Sequence, residues 1–218
     1  MRLLSYLIIS FLLLGAIAGA GCTAGGRPIP VTSPTPAAAQ DLSSLVLTPV
    51  DVPQGFTRTV MTAKKTSDMG TLARSFGWEE GNLAEFRHPG TDPGIATIIL
   101  QTIAVYPAGN VPAIADIVNK QDRADNNFSY ADLAVPDLGN HSFAFSGRSR
   151  VTLLAPEGDN QTPGVGSSNP EIAVTANTSF VEIIIAKDTV FEVLRMTGPD
   201  TSAETLSGIA VRAYAKIP

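Results

Sequence analysis

The chain has 218 residues, 44% of them hydrophobic, and a formal net charge of −5 at pH 7. This length accommodates one domain once an N-terminal leader is set aside, and the hydrophobic content is too high for general disorder. Nucleic-acid binding is not expected, because neutralising phosphates requires a basic stripe. The nearest pair of basic residues, Arg148 and Arg150, is typical of a solvated strand face.

The first 21 residues have the pattern of a secretory signal. Arg2 precedes an apolar run at positions 3–14, and mostly small residues follow up to the single cysteine, Cys22. A basic start, an apolar centre and a small-residue boundary are typical of exported proteins. The segment resembles a lipoprotein signal, and this resemblance implies that Cys22 is lipidated and becomes the new N-terminus.

Two alternative uses of this leader stay open. Ordinary signal cleavage could follow Ala18 or Ala20, because both complete a small-x-small pattern. The whole apolar stretch from Leu3 to Ala20, about 18 residues, is also just long enough to remain as a membrane-spanning anchor. All three alternatives predict export, and two of them predict attachment to the extracytoplasmic face of the cell membrane.

Residues 22–40 form a segment rich in Pro, Thr and Ala, with prolines at four positions between 28 and 36. Prolines at alternate positions favour extended polyproline conformations and prevent helix formation. We therefore expect a semi-rigid linker that holds the following domain away from the membrane. The foldable sequence begins at Asp41, so the predicted domain spans residues 41–218.

The first half of this domain has a mixed pattern of helical and strand periodicity. Pro112 is expected to open a helix whose outer side carries Asp116, Lys120, Asp122 and Asp125. The elements predicted before it are a short helix at 41–47, a strand at 56–61, a helix capped by Ser67 and ended by Gly77, and neighbouring strands at 78–86 and 95–106. The run at 98–100 is apolar without alternation, which favours a central strand covered on both faces.

The second half is dominated by strands. Lys187 and Asp188 separate two strand-like runs, which predicts a hairpin. The capping-box pattern of Thr201 and Glu204 predicts a final helix. The predicted elements are strands at 143–154, 171–186 and 189–196, and a helix with Leu206, Ile209, Ala210 and Ala213 on one face. Because short turns can join neighbouring strands, the sequence predicts an α+β sandwich, a mainly antiparallel sheet with helices packed on it.

Three parts of the domain carry a resemblance to known proteins: LTPVDVPQGF at 47–56, LGNHSFAF at 138–145, and the final hairpin and helix. The pattern resembles a broad group of prokaryotic surface lipoproteins, many of them archaeal. Its layout is similar to the extracellular sensor modules of bacterial Ser/Thr kinases and to the PsbP-like α/β sandwich. The resemblance covers most of residues 47–218 and implies an extracytoplasmic domain. It assigns no catalytic residue.

The sequence contains no recognisable motif for catalysis, cofactor binding or metal binding. His88 and His141 lie in predicted turns and lack the spacing of a metal-ligand or catalytic set. Asp122 and Asp125 are expected on a solvated helix face and not in a calcium site, because a calcium loop needs alternating oxygen ligands and a Gly turn. The single tryptophan, Trp78, is expected in the core.

Four sites match the N-glycosylation pattern Asn-x-Ser/Thr, a mild excess over chance. They are Asn127, Asn140, Asn160 and Asn177. Such sites suit an exported protein in a host that glycosylates.

The sequence therefore predicts a membrane-tethered extracytoplasmic lipoprotein with a non-enzymatic binding, sensor or envelope-structural role. Its expected partners are the membrane and a protein or small-molecule ligand, with no nucleic acid and no cofactor. The alternative is a surface enzyme, such as a hydrolase, whose site is not written as a motif. Acidic or histidine side chains that converge in a cleft would favour this alternative.

Overall fold

The computed structural model describes residues 41–90, 95–134, 138–139, 141–154 and 173–218, with the backbone alone described at 150–154 and 173–177. Within these ranges the helices are α1 (Leu42–Leu45), α2 (Thr71–Ser75), α3 (Val111–Asp122) and α4 (Ala203–Tyr214). The strands are β1 (Thr57–Lys64), β2 (Glu80–Pro89), β3 (Ala96–Val105), β4 (Ser129–Asp132), β5 (Phe143–Leu154), β6 (Ala173–Lys187) and β7 (Val190–Thr197).

The seven strands form one sheet in the order β1-β2-β3-β7-β6-β5-β4, and every neighbouring pair is antiparallel. Strands that follow each other along the chain pair locally, as in the β2–β3 and β6–β7 hairpins. The β3–β7 pairing joins the two halves of the sheet. The predicted α+β class, an antiparallel sheet with helices packed on it in a single domain, is confirmed.

Helices cover both faces of the sheet, so the core has two parts. On the first face, α1 and α4 pack on a cluster that includes Ile99, Ile183 and Leu194. On the second face, α2 and α3 pack on a cluster that includes Phe145 and Phe191. Successive side chains in a strand point to opposite faces, so the side chains that a central strand presents to each face are largely apolar.

The predicted β6–β7 hairpin and the predicted neighbouring strands β2 and β3 are confirmed, but several details of the predictions were wrong. The helix expected after Ser67 begins only at Thr71, because Gly70 is extended and interrupts the turn. The cap of α4 is Ser202, whose side chain accepts a hydrogen bond from the Thr205 backbone, and not Thr201. Strand β4 was missed, and Ile98 on the central strand is only half-buried on the second face.

The segment before β1 belongs to the core. The buried amide of Gln101 accepts a hydrogen bond from the Leu47 backbone N–H at 2.7 Å and donates one to the Glu192 carboxylate at 2.7 Å. Lys216 of the C-terminal turn donates to Asp51 at 2.5 Å and to the Val46 carbonyl at 3.2 Å. Backbone groups of this segment are therefore satisfied by side chains from β3 and from the end of the chain.

Gly147 in β5 lies under the ring of Phe180, and this contact gives a first prediction. A Cβ atom at position 147 would lie 2.3 Å from Cε1 of Phe180. Gly147→Ala is therefore expected to lower the free energy of unfolding by about 1–3 kcal/mol, because the ring has to move. Denaturant titration measures the loss. The control is Gly109→Ala, where no atom lies within 4 Å of the added Cβ; an equal loss in both variants would contradict the overpacking.

Candidate functional site

Strand alternation places a polar row on the first face of the sheet near its β4 edge. In β5, Phe143 and Phe145 point to the second face, so Ala144, Ser146 and Arg148 point to the first. The register sets Arg148 directly opposite Ser129 of β4 and Ser179 of β5's other neighbour, β6. The next row places Ser146 between Ala131 and Val181. Small side chains thus replace the large apolar residues of the central strands.

These rows and the start of α4 line an open cleft of about 640 Å³, which we call the α4 cleft. Most of its lining residues carry a hydroxyl group, and the one charged lining residue is Arg148. On the first face the hydroxyl residues are Ser129, Ser146, Ser179 and Thr201, and the apolar ones are Leu133, Val181 and Ala203. Ser149, Thr178 and Phe180 also border the cleft, but strand alternation points their side chains to the second face. None of the lining residues carries a carboxylate, an imidazole or a thiol.

The α4 cleft has two positive features. Arg148 is exposed and has no ion-pair partner within the described part of the chain. Thr201 and Ala203 flank the N-terminus of α4, where the helix dipole gives a partial positive charge that Glu204 in the first turn opposes. The cleft can therefore attract an anion even though the chain as a whole is acidic.

A second cleft of about 470 Å³ lies between the start of α3 and the end of α4, and includes His141, Lys187 and Tyr214. The ammonium group of Lys187 in this cleft already contacts other groups of the protein. Lys187 donates to the Ile217 carbonyl at 2.6 Å and lies 4.6 Å from the centre of the Tyr214 ring. His141 is exposed at the rim. This cleft offers fewer free polar groups than the α4 cleft.

Glu182 is an acidic residue buried on the second face of the sheet. Its carboxylate pairs with Arg195, whose guanidinium also lies 3.8 Å from Asp122, while Glu182 Oε1 has no hydrogen-bond partner. Burial raises the pKa of Glu182 to about 8, and the neighbouring Asp122 carboxylate adds to the rise while Arg195 opposes it.

Glu192 is buried on the first face. Burial raises the pKa of Glu192 to about 7, against the hydrogen bond from Gln101 and the charge of Lys216. Its Oε2 atom has no hydrogen-bond partner. Neither Glu182 nor Glu192 lines the α4 cleft, so the acids with a raised pKa do not face a ligand there.

His88 and Trp78, the other residues considered for a functional site, lie outside the α4 cleft. His88 stacks on Phe56 with ring centroids 5.3 Å apart and lies 3.8 Å from Asp200. Trp78 is buried in the second-face cluster, as expected. Among the described residues no group of three or more His, Cys, Asp or Glu could hold a metal ion.

The prediction that Asp122 and Asp125 share a solvated helix face was wrong. Helix α3 ends at Asp122, and Asp125 lies in the turn that follows it. The Asp122 side chain is only 23% exposed, because it faces Arg195. The sequence could not show this contact, since Arg195 lies more than 70 positions away in β7.

The predicted modification sites are only partly within the described residues. Cys22, Asn140 and Asn160 lie outside them, as do the leader and the linker. Asn127 is exposed in a turn, where its backbone and side-chain N–H groups donate to Asp125 at 2.9 and 2.8 Å. The backbone of Asn177 pairs with Arg150 within β6 and β5. Lipidation and glycosylation stay predictions.

Comparisons with known proteins identify the fold. No protein-family model and no curated protein sequence matches the chain. Among solved structures it is similar to the extracellular domain of PknH from Mycobacterium tuberculosis, with a TM-score of 0.54 and 11% sequence identity. The similarity covers 84% of this chain and 97% of that one. At this identity the comparison shows a shared fold, and it confirms for the fold alone the expected similarity to extracellular domains.

No helix within the described ranges combines the length and the apolar character needed to cross a bilayer.

Proposed function

We propose that this protein is a membrane-tethered extracytoplasmic domain that binds a small polar ligand in the α4 cleft without converting it. The observation that carries the proposal is the lining of the cleft. Hydroxyl groups and one guanidinium converge there, with apolar side chains beneath them, which is a composition suited to recognition. The lining residues include no base that could activate a serine, so the arrangement favours binding over hydrolysis.

The extracytoplasmic location rests on two independent supports. The leader has the order of a signal, with Cys22 at the position that a lipoprotein signal would modify. The fold is similar to that of an extracellular domain. Mass spectrometry of the protein from its native membrane tests the tether. A lipidated Cys22 as N-terminal residue is expected, and a free, unlipidated N-terminus after Ala18 or Ala20 would overturn it.

Ligand binding is tested by a variant that fills the cleft. Full-length protein in detergent is screened against a panel of small polar metabolites by thermal shift, and hits are confirmed by calorimetry. Ser146→Trp places a large ring where small side chains now line the α4 cleft, so we expect it to abolish binding. Ser67→Trp, at an exposed position in the 3₁₀ turn far along the chain, is the control. Unchanged binding in Ser146→Trp, or turnover of the bound compound, would contradict the proposal.

A further inference from the structure

We propose that the ligand of the α4 cleft is an anionic sugar, a hydroxylated ring with one carboxylate or phosphate group. This inference rests on the proposed binding function and adds the chemical class of the ligand. It follows from the placement of Arg148 among hydroxyl side chains, from the apolar residues next to them, and from the start of α4 in the same cleft lining.

The negative group of the ligand is assigned to Arg148. A guanidinium presents a rigid fork of N–H donors that matches two oxygens of a carboxylate or phosphate. Arg148 is the charged residue of the cleft lining, and no lining carboxylate competes for it. Thr201 and Ala203, at the N-terminus of the 12-residue helix α4, also line the cleft; the helix dipole there favours the same sign of charge, and Glu204 in the first turn opposes it.

The hydroxyl groups of the sugar are assigned to the serine rows. Ser129 and Ser179 lie directly opposite Arg148 on its two neighbouring strands. Residues opposite each other in antiparallel strands have Cβ atoms about 4.5–5.5 Å apart, so the three side chains form one continuous polar row. Ser146 adds a hydroxyl one row further. Each hydroxyl both donates and accepts, which matches the donors and acceptors of a sugar ring better than a row of charges would.

The apolar part of the lining suits the C–H face of a sugar ring. Leu133 and Val181 lie on the first face next to the serine rows, and the Val181 side chain is buried. A volume of about 640 Å³ falls in the range of small-molecule sites, about 300–1,000 Å³. One or two sugar rings fit this space. A larger polymer would have to extend out of the open side of the cleft.

The test measures binding of three compounds to the full-length protein in detergent by isothermal titration calorimetry. Glucuronate carries a carboxylate, glucose 6-phosphate a phosphate, and glucose neither. We expect one or both anionic sugars to bind at least tenfold more tightly than glucose. Arg148→Gln should weaken the anionic sugar at least tenfold and leave glucose unchanged, and Arg148→Lys should keep part of the affinity. Arg58→Gln, at an exposed arginine of β1, is the matched control.

The outcomes separate the inference from the proposed function. Equal affinity for glucose and the anionic sugars, or unchanged affinity in Arg148→Gln, would overturn the anionic-sugar proposal. The same holds if none of the three compounds binds while another metabolite binds and is blocked by Ser146→Trp; the binding function then stands. If Ser146→Trp blocks no ligand at all, the proposed function fails and the inference with it. Circular dichroism of each variant verifies that the fold is intact.

Discussion

Replacing Phe180 with alanine is expected to lower the free energy of unfolding by about 3–5 kcal/mol. The side chain is 6% exposed, and its ring centroid lies 5.4 Å from that of Phe128 and 6.0 Å from that of Phe145. The guanidinium of Arg195 stacks over the same ring at 4.7 Å. Truncation therefore removes buried apolar area, three edge-to-face contacts (with Phe128, Tyr130 and Phe145) and a cation–π contact together. Denaturant-induced unfolding at neutral pH measures the change.

The control for this prediction is Val211→Ala in α4, where the side chain is 47% exposed. Its effect should stay within about 0.5 kcal/mol, as for other surface substitutions. A second comparison uses Gly147→Ala in a Phe180→Leu background. Because the clash is with the aromatic ring, the glycine substitution should cost less there than in the wild type. A loss below about 1 kcal/mol in Phe180→Ala would show that the aromatic cluster is not a packed core.

Stability is expected to fall as pH rises from about 4.5 to 8, because burial in the folded protein raises the pKa of both Glu182 and Glu192. In the unfolded chain each carboxyl group has a pKa near 4.5, whereas folding raises the pKa of Glu182 to about 8 and that of Glu192 to about 7. At pH values between 4.5 and these raised pKa values, the folded state binds more protons than the unfolded chain. The free energy of unfolding therefore falls as pH rises. The contribution of each acid to stability is fully present below pH 4.5 and is lost as the pH rises through its pKa in the folded protein.

Glutamine variants test this pH dependence, because an amide cannot ionise. Glu192→Gln and Glu182→Gln should each flatten the curve of unfolding free energy against pH by on the order of 1–3 kcal/mol between pH 5 and 8. The groups facing Glu192 are Gln101 and Lys216. Those facing Glu182 are Arg195 and Asp122.

The double glutamine variant should be flatter than either single one, since the two acids lie on opposite faces of the sheet. Glu79→Gln, at an exposed position, is the control and should leave the wild-type curve unchanged. The measurement is urea unfolding in a series of buffers at constant ionic strength. A wild-type curve that rises from pH 5 to 8, with the same slope in both single variants, would contradict neutral burial.

Local patterns in the sequence predicted the parts of the fold that form locally. The β6–β7 hairpin follows from two strand-like runs separated by Lys187 and Asp188, and Asp188 adopts the positive φ, 51°, that a tight turn requires. The apolar face of α4 follows from helical periodicity. Strand β4 was missed because Ser129–Asp132 is a short, mostly exposed edge strand with little apolar content.

The candidate site depends on contacts that sequence patterns do not carry. Arg148 was expected to be solvated, and it is exposed, but its position between Ser129 and Ser179 depends on the register of three strands. Two of these strands are separated by 18 residues between Leu154 and Ala173. Strand register over such a separation is set by packing and not by local propensity.

The buried acids were missed for a different reason. An acid in an alternating strand is ordinarily assigned to the solvent face. Here helices cover both faces of the sheet, so Glu182 and Glu192 are buried whichever way they point. The sequence signal that could have identified them is the run of large apolar residues on both sides of each acid, as in Val-Glu-Ile-Ile-Ile and Phe-Glu-Val-Leu.

The network around Lys216 also makes the two ends of the domain depend on each other. Lys216 follows the last helix of the domain, yet its ammonium group holds Asp51 and the Val46 carbonyl. Truncation of the chain after Ala215 would remove this ammonium group and the buried Ile217 side chain. The damage would appear at the opposite terminus, where Asp51 would lose its cation and the segment at 45–47 would detach more readily from the sheet. Lys216 and Ile217 thus hold the N-terminal segment of the domain against the sheet.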